Sequence, residues 1–379
     1  MIVSSQTIKK NRIVHVISSL ARGGAEIVLL DLIKGLPDFE HHVIYIHDGP
    51  IRQALENDTI ACISIRGWFF TYDLGIIIRL YKLLKTIRPD SIHSSLWAAN
   101  FFTRLCARLL DIPLINVIHA HLPHQGKVRT FLDSMTFWLS DTVVAVSPSI
   151  FSSLQKTWWV KKSSLKLIEN GIHTDRISQR TSSSRDRSIF TLLAVGRFIP
   201  AKNFRFLLEV FNQLIPTYSD MRLMILGYGP EQQTLENYRT HYGLEKNVQI
   251  IVGQEAALYY GYADCFVQPS LTEGLSIALL EAMSAGIACI VSGNDQHDVI
   301  TQGKTGLIVP ANDHEAWKKA ISFCYQEKST AQELGKAAQL AIQHRFSASI
   351  MAQKYRALFE KNIRIGNKFL DVKNIWEKV

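Results

Sequence analysis

The chain has 379 residues, too many for one hydrophobic core, so two domains are expected. Apolar residues make up 47% and charged ones 20%, as in ordinary globular proteins, and five scattered cysteines with no C-x-x-C pair argue against a disulfide framework or a zinc site. The net charge of +9 points to anionic partners: nucleic acid, anionic lipid or phosphorylated ligands.

The N-terminal stretch "MIVSSQTIKKNRIVHVISSL" reads as the approach to a first strand and lacks a signal-peptide cleavage pattern. Charges interrupt every apolar run before the ~18 residues of a membrane span. A reducing, cytoplasmic location is expected. Short apolar runs then alternate with segments of helical period. Strands are predicted at "RIVHVISSL", "HHVIYIHDG", "SIHSSL", "PLINVIHA", "TVVAVSP" and "LKLIEN". After the polar segment 178–188, read as a linker, they continue at "FTLLAVGRF", "MRLMILGYG", "VQIIVGQ", "CFVQPS", "ACIVSG" and "TGLIVP". Such alternation predicts an α/β protein of two doubly wound parallel sheets, each covered by helices. We expect domains at 1–180 and 189–350, and a C-terminal helix and tail at 351–379 that crosses back to the first domain. Ligands of such sheets sit beyond the carboxyl ends of the strands, and the space between two such domains is the natural site.

Four loops carry candidate chemistry. In "SSLARGGAEIVLLDL", Gly23 and Gly24 join a strand to a helix; this is a plain turn or an anion site at a helix N-terminus. In "AVGRFIPAKN", Arg197 and Lys202 flank a strand end, where two cations beside a helix start suit a diphosphate. "ILGYGPEQQ" places Gly227 and Gly229 in a turn. In "PSLTEGLSIALLEAMSAG", Glu273 lies on the loop and Glu281 inside the following helix, in an otherwise apolar run. From residue 276 to 281 a helix rises about 7.5 Å, of the order of the span from a ribose to the sugar beyond its diphosphate. The two acids suit sugar and ribose hydroxyls, with the diphosphate over the N–H groups of Gly274, Leu275 and Ser276. The plainer alternative, a helix-dipole role for Glu273 and a nearby cation paired with Glu281, suits Glu273 well and suits Glu281, flanked by "ALL" and "AM", poorly.

Arg197 with Lys202, and the E-x7-E pair Glu273 and Glu281, resemble the signature of retaining glycosyltransferases of family 4, which have the GT-B fold. "RGGAE", "NVIHAH", "VSPS", "IENGI", "GRFIPAKN", "LGYGP" and "GKTGLIVP" follow in the family's order. The resemblance implies a nucleotide-sugar donor, UDP- or GDP-linked, on the second domain and an acceptor on the first. It implies that the E-x7-E acids touch the donor sugar and ribose, that Gly24, Arg197 and Lys202 line the donor site, and that His119 lies near the transferred sugar. His173 stands where the family often has Asp after "NGI", and Asp298 in "GNDQHDVI" stands where it has Glu. The expected reaction is transfer with retention to a glycan or lipid-linked acceptor, in bacterial cell-surface polysaccharide or lipopolysaccharide synthesis. No D-x-D occurs in the chain, so no metal or other cofactor is expected. A nucleotide-sugar epimerase is the alternative enzyme. Nucleic acid is not expected, because the cations are spread along the chain. The segments 66–89 and 154–166 mix Trp, Phe and Tyr with Lys and Arg, which suits peripheral contact with the inner face of a membrane.

Overall fold

A computed structural model describes residues 10–65, 75–121, 126–157, 159–174, 177, 188–293 and 298–376, with side chains placed as far as 364. The chain forms two compact units, Met1–Glu169 with Ala348–Val379, and Asn170–Ser347. Of the polar segment read as a linker, only Ser188 lies within the described residues.

Unit 1 contains β1 (Arg12–Ser19), α1 (Gly24–Lys34), β2 (Glu40–His47), α2 (Ile51–Asn57), β3 (Ala61–Ser64), α3 (Gly75–Ile87), β4 (Ser91–Ser95), α4 (Trp97–Leu110), β5 (Leu114–Ile118), α5 (Lys127–Thr136), β6 (Thr142–Ala145), α6 (Pro148–Gln155) and β7 (Leu165–Leu167). The sheet is parallel, ordered β3-β2-β1-β4-β5-β6-β7. Val14, Val16, Ile44 and Ile92 pack beneath Leu80, Leu84, Phe102 and Cys106 on one face. Ile17, Val43 and Tyr45 meet Leu29, Leu30 and Ile33 on the other.

Unit 2 contains β8 (Phe190–Val195), α7 (Phe204–Leu214), β9 (Met221–Gly227), α8 (Gln232–His241), β10 (Val248–Val252), β11 (Cys265–Gln268), α9 (Ile277–Ser284), β12 (Ala288–Ser292), β13 (Leu307–Val309), α10 (His314–Gln326) and α11 (Lys328–Arg345). Its parallel order is β10-β9-β8-β11-β12-β13. The strand order reverses between β8 and β11, so the loops after these two strands open away from each other and leave a crevice. Both sheets thus match the doubly wound parallel sheets expected from the alternation of strand and helix.

The last helix, α12 (Ala348–Trp376), belongs to unit 1. Met351, Tyr355 and Phe359 are fully buried. The Tyr355 ring lies edge-on to His93 at 5.4 Å, and Phe359 lies 5.9 Å from Phe39. Arg356 pairs with Asp38 at 2.7 Å on the exposed side.

Candidate active site

The candidate residues of unit 2 gather at the reversal of strand order. β8 ends at Val195, and Gly196 follows with its backbone bare. A Cβ there would lie 3.2 Å from Cε of Lys202, so the missing side chain leaves room for the lysine stem. Lys202 closes a single 3-10 turn, Pro200–Lys202, and Asn203 then takes a left-handed conformation (φ 58°) that starts α7. Lys202 Nζ donates to Glu273 Oε1 from the loop after β11. Both side chains are more than four-fifths buried, so the pair is screened far less than a surface ion pair. Ser270 Oγ also donates to Glu273 Oε1, at 2.7 Å, and Leu271 N donates to Ala201 O at 2.8 Å. The two loops are therefore stitched side chain to side chain and backbone to backbone. Arg197 is exposed.

Ser276 caps α9: its Oγ accepts from Leu279 N at 3.3 Å and donates to Gln268 Oε1 at 2.7 Å. This hydroxyl fixes the helix start against the end of β11, with Gly274 and Leu275 in the approach. Glu281 lies further along α9 and is 6% exposed. Its Oε2 accepts from Tyr260 OH at 2.9 Å. The buried acid is thus answered by a phenol. Tyr260 lies in "GQEAALYYGYADCF", and no spacing rule singles it out from its neighbours there.

The glycines of "LGYGP" serve another purpose. A Cβ on Gly227 would meet Gly196 O at 1.8 Å, and one on Gly229 (φ +152°) would meet Phe198 O at 2.6 Å. Phe198 N donates to Tyr228 O at 2.7 Å. These residues hold the loop after β9 against the loop after β8 and so set the backbone that carries Arg197 and Lys202.

Two candidates lie in unit 1. Gly24 is the first residue of α1, after N-cap Gly23. A Cβ on Gly23 would stand 2.5 Å from Glu26 Oε2, so the buried Glu26 carboxylate folds back over the bare loop. His119 directly follows β5. Its Nε2 is buried without a hydrogen-bond partner among the described residues. Desolvation pulls its pKa down to about 4, so the ring is neutral at physiological pH with one polar atom unspent. Among the described residues no group of three His, Cys, Asp or Glu side chains is arranged to hold a metal ion.

Comparison with known proteins follows the same division of the chain. The model for "Glycosyltransferase Family 4" matches residues 22–176, and that for "Glycosyl transferases group 1" matches 175–341. The UDP-Gal:alpha-D-GlcNAc-diphosphoundecaprenol alpha-1,3-galactosyltransferase of Escherichia coli is 25% identical over 349 residues, 83% of this chain and 88% of that protein. The lipopolysaccharide core biosynthesis glycosyltransferase LpsD of Rhizobium meliloti is 23% identical, covering 90% of this chain and 96% of its own. Among solved structures, Anabaena HepE in complex with UDP-glucose superposes with a TM-score of 0.82 at 19% identity, over 92% of this chain and 99% of that one.

Proposed function

This chain belongs to the family 4 glycosyltransferases and has their GT-B fold, and on that premise we propose that it moves a sugar from a nucleoside diphosphate sugar to a glycan or lipid-linked acceptor, with retention and without a metal ion. The donor is a UDP- or GDP-sugar, and the product belongs to bacterial cell-surface polysaccharide or lipopolysaccharide synthesis. The carrying observation is the Lys202–Glu273 pair at the reversal point of the unit 2 sheet, beside the start of α9. Support comes also from relatives that make such glycans and from a structural neighbour that binds UDP-glucose.

In this reading, donor binding exchanges partners. The diphosphate takes Lys202, Arg197 and the amides of Gly274, Leu275 and Ser276, all donors aimed at anionic oxygens. Glu273, released from Lys202, accepts from hydroxyls of the donor sugar, and Glu281, held by Tyr260, accepts from the ribose diol. The bond from the anomeric carbon to the diphosphate oxygen breaks while the acceptor oxygen attacks on the same face. The departing oxygen takes the acceptor's proton, so atoms and charge balance without a protein nucleophile. The two cations and the helix amides stabilise the charge that grows on the leaving group. Neutral His119 offers a hydrogen bond near the transferred sugar without opposing the positive charge that develops there.

Thermal denaturation with UDP, GDP and their sugars tests the donor site, since a ligand at a hundred times its dissociation constant stabilises the native state by about 2.7 kcal/mol. A rise with one nucleotide is expected, absent in Lys202→Ala. Lys202→Ala and Glu281→Ala each remove hydrogen bonds to charged groups, so turnover falls by about ten- to a hundredfold with unchanged circular dichroism. Normal turnover by folded Lys202→Ala protein would remove the cation from the mechanism. Transfer should also survive EDTA. Loss on chelation, restored by magnesium or manganese, would refute the metal-free route. Product appearing from the donor alone, with no acceptor, would indicate an epimerase instead.

A further inference from the structure

α5 is inside-out. Its inward side is polar: Asp133 is 2% exposed and Thr136 is 9% exposed. Both are bound to Arg104 of α4, Asp133 Oδ1 at 2.6 Å and Thr136 Oγ1 at 3.0 Å from Nη1. The outward side is apolar. Val128, Phe131 and Met135 are 58–62% exposed, and Trp138, in the 3-10 turn Phe137–Leu139 that extends the helix, is 68% exposed. At about 100° per residue these four fall within an arc of roughly 80°, with Asp133 opposite. A helix that keeps its carboxylate in the protein and its large apolar groups in water is stable on its inward side only, and an exposed stripe of this kind marks a contact surface.

Charge decides what the contact is. Lys127 and Arg129 stand exposed at the start of the helix. The only acid between residues 126 and 139 is Asp133, buried and paired. Arg129 lies over the Trp97 ring at 5.1 Å, and Trp97 stacks on Phe101 at 5.6 Å. Trp138 Nε1 donates to Met135 O at 2.9 Å, so its indole enters an apolar medium with no donor left bare. Aromatic rings, a thioether and cations without exposed acids match the boundary between headgroups and acyl chains of an anionic bilayer. We propose that α5 and Trp138 are the surface by which this protein lies on an anionic lipid bilayer. This deepens the functional reading in one respect, because it would bring unit 1 to an acceptor that sits in lipid. It also moves the membrane contact from the segments the sequence suggested. Of those, 66–74 and 158 lie outside the described residues, α3 turns Ile76, Leu80 and Leu84 inward, and Trp159 is half-buried.

The test is flotation of the full chain with phosphatidylcholine vesicles, with and without phosphatidylglycerol. We expect binding to the anionic vesicles that high salt weakens. Phe131→Ser with Met135→Ser should reduce it at least about tenfold, and Lys127→Ala and Arg129→Ala by about fivefold each on anionic vesicles only. Because these side chains are exposed, melting should not change. The blue shift of tryptophan emission on vesicle addition should shrink in Trp138→Phe. No vesicle binding by the unaltered chain, or equal binding by the stripe variants, overturns the proposal. So does a dimer in vesicle-free solution that the stripe substitutions dissolve, since the stripe would then pair two copies of this chain. Flotation uses neither donor nor acceptor, and the nucleotide melts use no lipid, so each reading fails independently of the other.

Discussion

Asp133→Ala is expected to destabilise unit 1 by about 3–5 kcal/mol. Arg104 is fully buried and always cationic in practice, so its partner cannot be removed without leaving a charge in the core. The guanidinium has other holds: Nε donates to Asn116 Oδ1 at 2.6 Å, and its plane lies 4.0 Å from the Phe137 ring centroid. None of them carries negative charge. Desolvation already pulls the Arg104 pKa down and the Asp133 pKa up, each partly offset by the other. The same logic gives a control. Arg104→Met combined with Asp133→Leu removes both charges, and its stability should return close to that of the unaltered chain. Denaturant melts of the two singles and the double measure the coupling. A loss below about 1 kcal/mol for Asp133→Ala would mean that water reaches the guanidinium.

Acid should unfold the protein through unit 1. His15 and His93 face each other across β1 and β4, with their Nδ1 atoms 3.2 Å apart. His15 Nε2 lies 2.9 Å from His41 Nδ1, and His41 Nε2 lies 2.8 Å from Leu36 O. A carbonyl only accepts, so His41 Nε2 carries the proton there. His15 then donates from Nε2 to His41, and His93 donates from Nδ1 to His15. Every ring in this chain is neutral. Burial is the main cause that lowers all three pKa values: His93 to about 3, His15 well below its usual value, and His41 in the same direction. The unfolded chain therefore binds more protons than the native one below pH ~6.5, and stability rises with pH across that window. It is fully present above the ordinary histidine pKa and is lost as pH falls toward the native values. With three sites the slope is at most about 4 kcal/mol per pH unit. Denaturant melts between neutral pH and mild acid would show it, and His15→Gln should flatten the slope. Equal stability at both ends would exclude a neutral buried chain.

Much of this architecture is legible in the sequence, and the exceptions have physical reasons. Strands such as "TVVAV" and "LLAV" declare themselves because both faces of a parallel sheet are buried and the apolar run is continuous. β3 does not, since "ACIS" is a four-residue edge strand that is only half-buried. Lys202, Glu273 and Glu281 could be picked out because charged residues beside strand ends and within apolar runs need a reason. Tyr260 could not, because an aromatic ring is at home in any core and only the fold brings its hydroxyl to Glu281. The inverted orientation of α5 is invisible for another reason. Periodicity reports that a helix has two unlike faces, and the usual expectation turns the apolar one inward. What reverses it is Arg104, 29 positions away, which claims Asp133 for the interior.

The return of α12 to unit 1 also has a consequence for biosynthesis. Unit 1 is discontinuous, with all of Asn170–Ser347 inserted before its closing helix. A ribosome adding roughly 5–20 residues per second needs on the order of ten seconds or more to make that insertion. Throughout the interval His15, His93 and Phe39 have no Tyr355 or Phe359 to cover them. Unit 2, a single contiguous stretch, can close on itself as soon as it leaves the exit tunnel. The nascent chain is thus finished out of order, its middle before its beginning, and the early sheet is the portion that chaperones would have to shelter until the last helix arrives.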